Sequence, residues 1–234
     1  MEVSSIDKPR AAPVPVKKEA PPPRNVVQDL FYNIEEPINC LKAKVTDFDV
    51  RLTKIEQVRN FVERWHYSRN TNGVRILYVF GLYYKNVLIG AMLYGGLGMA
   101  NAWKKYGQNE SDVIELRRLC CIDDTPKCTE SYFIGKTLRW LKKNTKHKTI
   151  VSYADTNYNH TGIIYRATNF KYEGLTAEGK VIDYNGKTYH DKSVRTKYNG
   201  KLKPFSQELK NALITGKAKY IKTFGKHIFT FKLK

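Results

Sequence analysis

SYADTNYNHTGIIYRATNFKYEG, residues 152–174, holds three elements in close succession. Ser152-Tyr153-Ala154-Asp155 ends an apolar run that begins at Thr149 and reads as a strand, and a polar loop follows. Residues 160–168 read as a short helix bearing Tyr165, and after a turn Phe170 opens a strand that closes on Gly174. Strand, short helix and strand at this spacing belong to mixed α/β layers.

Upstream, Ile55, Val58, Phe61, Val62 and Trp65 recur at helical spacing, which predicts an amphipathic helix ending near Trp65-His66-Tyr67-Ser68. Two apolar runs, 76–83 and 87–94, are separated by Tyr84-Lys85-Asn86 and predict a β-hairpin. A third strand is expected over 113–122. Pro126 then breaks the chain, Thr129 can cap, and Phe133, Thr137, Leu138 and Leu141 line one face of a helix running to about 144. The order of helix, hairpin, strand, helix, strand, helix and strand predicts an α/β fold, an α+β mixed sheet with helices on both faces. No internal repeat is present.

The chain has 234 residues, with 41 Lys or Arg against 22 Asp or Glu, a formal charge of +19. Its 41% hydrophobic and 12% aromatic content supports a core, which excludes a wholly disordered basic protein. No N-terminal stretch joins a basic start to an apolar run, so no secretory signal is expected and the predicted location is the cytoplasm. Residues 87–103 are uncharged, yet these 17 residues contain Gly90, Gly95, Gly96, Gly98 and Asn101. They fall short of the roughly 20 a membrane helix needs, so a strand running into a glycine turn is expected and no membrane span. Cys40, Cys120, Cys121 and Cys128 lack paired zinc-site spacing and are expected as reduced core residues.

Six of the nine prolines lie in the first 23 residues. Residues 1–25 are therefore expected as a disordered Pro-rich basic arm, 26–175 as the folded core, and 176–234 as a basic C-terminal part of the same domain. From Thr176 onward there are 14 Lys or Arg against 4 Asp or Glu, which is +10 of the total +19. An excess of that size in one quarter of the chain points to a polyanionic partner, duplex DNA, more than to a merely solvated surface. Tyr184, Tyr189, Tyr198, Tyr220 and Phe224 are interleaved with these cations and could stack on an extruded base.

The stretch VIELRRLCC, 113–121, is charged on both faces: alternation puts Glu115 and Arg117 on one and Leu116, Arg118 and Cys120 on the other. A strand between helix layers is normally apolar on both sides, since burying an unpaired charge is costly. These charges either line a cleft or form an internal Glu–Arg pair that holds the sheet. Further on, Lys127-Cys128-Thr129-Glu130-Ser131-Tyr132 leads directly into a helix. A helix start offers free N–H groups and a positive dipole end to an anion; taken alone, an ordinary cap by Thr129 or Ser131 is the better reading.

The region ending at Gly174 resembles the GNAT superfamily of acyl-CoA-dependent N-acyltransferases. That resemblance implies a sheet splayed between two parallel strands with an acyl thioester in the gap, and Tyr165 as the group that protonates the departing thiolate. Tyr165 reads equally as a core aromatic, and the roles are compatible because a phenol can donate a proton while its ring packs. The superfamily's Gly-rich pyrophosphate loop is missing; Cys128-Thr129-Glu130-Ser131 stands in its place, with Gly135 a turn later. Thr129, Glu130, Ser131 and Tyr132 are the resulting candidates for holding an acyl-CoA or related donor.

A narrower resemblance joins Trp65-His66-Tyr67-Ser68, Phe80-Gly81-Leu82-Tyr83, Glu115-Leu116-Arg117-Arg118-Leu119, Ser152-Tyr153-Ala154-Asp155, the run from His160 to Phe170, and Gly225-Lys226-His227. In this order and spacing, over about residues 50–234, the chain is similar to the phage Mom protein family. Those proteins modify adenine at N6 in phage DNA with an acetamide-type group that blocks host restriction. The resemblance implies His66, Tyr67, Arg117, Arg118, Ser131, Asp155 and Tyr165 as site residues, and the host cytoplasm as the location. Adenine N6 is a weak nucleophile whose attack requires loss of a proton, a task suited to the carboxylate of Asp155 or the imidazole of His66. As plain structure, Asp155 would cap the next turn and His66 would pack at a helix end. Should His66, Tyr67 and Asp155 converge, their atoms would suit iron or zinc, although no ligand spacing marks such a site. The expected function is a DNA-modifying, acyltransferase-like enzyme. The alternatives are a conventional N-acetyltransferase acting on a small amine or protein, and a non-catalytic basic DNA-binding protein on the same fold.

Overall fold

The computed structural model describes residues 39–71, 75–99 and 101–234; the Pro-rich arm expected over 1–25 lies outside them. In chain order the elements are β1 (Asp49–Leu52), α1 (Ile55–Trp65), β2 (Ile76–Tyr84), β3 (Val87–Gly95), β4 (Val113–Cys121), α2 (Thr129–Asn144), β5 (Thr149–Ala154), α3 (Ile163–Arg166), β6 (Lys171–Leu175), β7 (Gly179–Tyr184), β8 (Lys187–His190), β9 (Lys197–Tyr198), β10 (Lys201–Leu202), α4 (Pro204–Ile214), β11 (Ala218–Thr223) and β12 (His227–Lys232). The described chain divides into two compact units. The core unit holds residues up to Ala154, Thr161–Leu175 and Lys226–Lys234, and the basic unit holds Asp155–His160 and Thr176–Gly225.

The core unit is a seven-stranded sheet in the order β1-β2-β3-β4-β5-β12-β6, with helices on both faces. The side-chain period of two divides β2 and β3 between the two helix layers. Val79, Ala91 and Leu93 meet Val58 and Val62 of α1, while Phe80, Met92 and Tyr94 meet Phe133, Ile134 and Leu141 of α2. Lys85 and Asn86 both adopt positive φ, the two-residue turn whose twist suits a hairpin, and they set Tyr84 opposite Val87. Cys40 and Cys120 are buried and no disulfide forms; burial pushes the thiols of Cys120 and Cys121 up, which keeps them protonated and unreactive.

All neighbouring strands of this sheet are antiparallel except β4 and β5. That parallel pair is joined only from Val113–Thr149 to Leu116–Ser152, whereas β4 continues along β3 to Cys121. Past Leu116 the two strands part, which is the splay that the resemblance implies.

The alternation read from VIELRRLCC fails at the same place. Leu93 pairs with Arg118 and Tyr94 with Leu116, so Arg117 is an extra residue, a β-bulge. A bulge shifts the period by one. Leu116 and Leu119 therefore share the α2 side, while Cys120 packs with Val58 and Val62 on the α1 side. Leu116 does not share a face with Cys120.

The basic unit contains the three-stranded antiparallel sheet β11-β7-β8, the small hairpin β9–β10 and helix α4. Its core is Ile182, Leu209, Ala212 and Ala218, with Tyr184, Tyr189, Val194 and Leu213 packed around it. Two Asn-Gly turns, Asn185-Gly186 and Asn199-Gly200, adopt positive φ at both residues and close the hairpins. Pro204 begins α4, where a missing N–H costs nothing. The last strand of the chain leaves this basic region: β12 lies between β5 and β6, with Ile228 and Phe229 buried. Among the described residues no helix is long and apolar enough to cross a membrane.

Candidate active site

Tyr165 lies on α3, entered through Gly162 at φ +75°. A Cβ at Gly162 would enter the ring of Phe229; this glycine thus permits both a left-handed turn and the close approach of that ring. The Tyr165 ring packs against Phe170 and Phe229, with centroids 5.5 and 5.2 Å away. Its phenol meets the hydroxyl of the buried Ser152, which donates to the Leu116 carbonyl at 3.2 Å. The phenol thus sits at the last rung where β4 and β5 are joined. Burial first, and the charge of Glu115 second, hold it above the usual tyrosine range, so it keeps its proton at neutral pH. Tyr94 stands near it, bonded to Thr137 at 2.8 Å and likewise pushed up by burial.

The charges of β4 form a second group. Glu115 accepts from Arg117 at 2.9 Å and from the Gly98 backbone N–H at 3.2 Å. Burial pushes the Glu115 carboxyl up, and Arg117, Gly98 and Arg118 oppose that shift. A Cβ at Gly98 would lie 2.7 Å from an Arg117 nitrogen, so a side chain there would push the end of the guanidinium aside. Nε of Arg117 is buried without a hydrogen-bond partner, the sole such side-chain atom among the described residues. The internal reading of the strand holds, since Glu115 and Arg117 pair with each other, and one polar atom of Arg117 is left over.

Arg118 donates to the Asn70 carbonyl at 3.2 Å and to the Arg117 carbonyl at 2.9 Å. Burial lowers its guanidinium, and Tyr67 is the first group opposing that. His66 is buried at the end of α1, with its ring 4.3 Å from that of Tyr67. Its Nδ1 accepts the Ser68 backbone N–H at 3.1 Å, and Ser68 in turn bonds the Asn70 carbonyl at 3.3 Å. The core unit therefore links His66, Tyr67, Arg118, Arg117, Glu115 and Tyr165 through direct bonds and near charges.

Asp155 belongs to the basic unit. It is buried, and its Oδ1 accepts from the backbone and side-chain nitrogens of Asn157 at 3.1 and 2.8 Å, capping the 3-10 turn Thr156–Tyr158. Thr156 and Asn157 reach across this unit to Gly225 and Phe224. Of the five interleaved aromatics, Tyr184 and Tyr189 pack on the basic unit's core, whereas Tyr198, Tyr220 and Phe224 are exposed.

At the start of α2 the candidate side chains turn inward. Thr129 donates to the Pro126 carbonyl at 2.7 Å, Ser131 to the Cys128 carbonyl at 3.0 Å, and Tyr132 to the Phe48 carbonyl at 3.2 Å. Cys128, the N-cap, makes no side-chain cap. What fits an anion here is the main chain: the N–H groups of Glu130 and Ser131 open a sixteen-residue helix, although the Glu130 carboxylate in that first turn opposes negative charge. Among the described residues no group of three or more His, Cys, Asp or Glu could hold a metal. The iron or zinc weighed for His66, Tyr67 and Asp155 has no such cluster to support it.

Ser152, Tyr153 and Asn70 escaped the sequence reading. Ser152 and Tyr153 stand in a motif quoted for its Asp155, and only the pairing of β4 with β5 brings Ser152 under the phenol. Tyr153 lies near Tyr106, Glu115 and Arg117, and burial raises its phenol. Asn70 carries no signal, because Arg118 uses its carbonyl and not its side chain.

The model of the Mom protein family matches residues 47–234. No curated protein sequence matches the chain. Solved structures that are similar include an N-acetyltransferase from Staphylococcus aureus Mu50, at 12% identity over 80% of this chain and 99% of that chain, with a TM-score of 0.46. A probable acetyltransferase from Staphylococcus epidermidis ATCC 12228 is 9% identical over 80% of this chain and 99% of that one, with a TM-score of 0.45. The spermidine/spermine N-acetyltransferase SpeG from Vibrio cholerae is 8% identical over 81% and 94%, with a TM-score of 0.44.

Proposed function

This chain belongs to the Mom protein family, and from that premise we propose that it transfers a small acyl or acetamide-type group to N6 of adenine in DNA. The observation that carries the proposal is the phenol of Tyr165, buried against Phe170 and Phe229, holding its proton, and bonded to Ser152 where the parallel strands part. A proton held at a splay in a sheet suits a leaving group that departs from a chain inserted between the strands.

In the transfer, the bond from N6 to the donor carbon forms as the bond from that carbon to the leaving group breaks. N6 gives up one proton and the leaving group takes one. Tyr165 supplies the second. The first suits the carboxylate of Asp155 or the imidazole of His66, whose Nδ1 meets the backbone N–H and the hydroxyl of Ser68 at 3.1 and 2.8 Å. A donor of the acyl-CoA class supplies an activated carbon, and the main-chain N–H groups of Glu130 and Ser131 would hold its phosphates. Arg117 offers Nε to an oxygen on the transferred group.

The acceptor reading rests on the +10 excess from Thr176 onward, which suits duplex DNA, and on the exposed rings of Tyr198, Tyr220 and Phe224, which suit a base out of the stack. Mass spectrometry of nucleosides from DNA of cells expressing the protein tests the whole proposal. A new adenosine adduct is expected; unmodified adenosine at full expression would overturn the proposal and leave the two alternatives, an N-acetyltransferase of a small amine or protein and a non-catalytic DNA-binding protein.

A further inference from the structure

We infer that the basic unit carries a seat for one nucleotide of a nucleic-acid strand, in the cleft between α4, the β9–β10 hairpin and β11. The inference rests on DNA being the acceptor and deepens that reading. The cleft has a volume of about 540 Å³, ample for a nucleotide, and uses none of the residues assigned to the chemistry.

Its walls have two kinds of surface. Leu202, Leu213 and the ring of Tyr220 form an apolar side, and Arg195, Lys197 and Lys210 supply cations. No carboxylate lines it, although Asp191 pairs with Arg195 at 2.8 Å and so leaves the net charge to Lys197 and Lys210. The seat is built: the Asn199-Gly200 turn, with both residues at positive φ, folds β9 back on β10 and fixes where Lys197 stands. Tyr220 lies on an edge strand next to Ala218, which is buried under α4, yet is itself 47% exposed. The helix covers the first residue of that strand face and stops short of the second.

An aromatic ring beside an apolar wall, under a cationic rim, matches a nucleotide in kind. Lys180 Nζ stands 4.3 Å over the centroid of the Tyr220 ring, so a base has the opposite face of that ring to stack on, its sugar suits the aliphatic side, and the phosphate on either flank suits the lysines. Duplex DNA with every base stacked would use the rim alone. The seat therefore implies a strand with at least one base unstacked.

The test compares a short fluorescein-labelled oligonucleotide, single-stranded and as the matched duplex, by anisotropy at several salt concentrations. Wild type should bind both at low salt. Tyr220→Ala should weaken single-strand binding roughly tenfold while leaving the salt slope unchanged, as loss of stacking does. Lys197→Gln with Lys210→Gln should lower that slope by about 1.4, at about 0.7 for each phosphate contact. Tyr220→Leu, which keeps an apolar side chain and so the packing, should behave like the alanine variant. Unchanged affinity in both Tyr220 variants overturns the seat, even if the lysine variant weakens binding, and the acceptor reading then survives on general attraction. A wild-type protein that binds neither oligonucleotide at low salt overturns both.

Discussion

Arg117 donates to Glu115 across 2.9 Å although the two stand only two residues apart on one strand, and their side chains are 14% and 11% exposed. Removing one partner strands the other charge away from water, so Arg117→Gln should cost about 3–5 kcal/mol in urea unfolding, and Glu115→Gln added to it should restore most of the loss. The pH dependence follows from the raised Glu115 carboxyl. The folded state holds that proton to higher pH than the unfolded chain, so its contribution is fully present below the ordinary glutamate value and declines as pH rises toward the raised one. Arg117→Gln should steepen that decline. A double-variant loss equal to the sum of the two single losses would show that the two side chains act independently.

Tyr165→Phe removes one oxygen and keeps the packing against Phe170 and Phe229. Adduct formation should fall about 10²-fold or more while the melting curve and DNA affinity stay near wild type. Because burial keeps this phenol protonated beyond the usual tyrosine range, no loss of activity assignable to it is expected below about pH 10. Full activity in Tyr165→Phe would reduce the residue to a core aromatic.

Asp155 has a charge and a cap to lose, and two variants separate them. Asp155→Asn keeps an acceptor for the Asn157 nitrogens and loses the charge; Asp155→Ala loses both and should cost a further ~1 kcal/mol of stability. Both should abolish the adduct without weakening DNA binding. Activity retained in Asp155→Asn would exclude the carboxylate as the proton acceptor.

Gly162→Ala should be destabilising well beyond an ordinary helix-start substitution, since the new carbon meets the Phe229 ring and the backbone is at φ +75°. A thermal melt checks this, and the modification assay should show activity falling with it, as the same ring supports Tyr165. A melt unchanged from wild type would show that α3 can enter by another path.

The two long helices and five of the seven strands of the core sheet could be read from the sequence with different ease. Apolar period placed α1, α2, β2, β3, β4, β5 and β6 within a residue or two, because each buries one stripe or face. β1 escaped, since Asp49, Val50, Arg51 and Leu52 lie at an edge and are mostly exposed. β12 escaped because His227 and Lys232 bracket its apolar residues inside a region already dominated by lysine. The structure of the basic unit was signalled by two Asn-Gly turns that the charge obscured. At the site, residue types named the participants, but a period of two cannot foresee a bulge, and the Arg117 bulge decides which faces Leu116 and Arg118 occupy.

The position of β12 also governs the order of folding. Its partner β5 ends at Ala154 and β12 begins at His227, and the chain between them contains most of the basic unit. Until that intervening chain has been synthesised, β5 and β6 each present an unpaired edge toward the place β12 will take, and the sheet that carries Ser152 stays incomplete. So distant a closure is slow, and the open edges are points where nascent chains can pair with one another. The protein thus cannot complete the sheet beneath its phenol before its cationic unit exists.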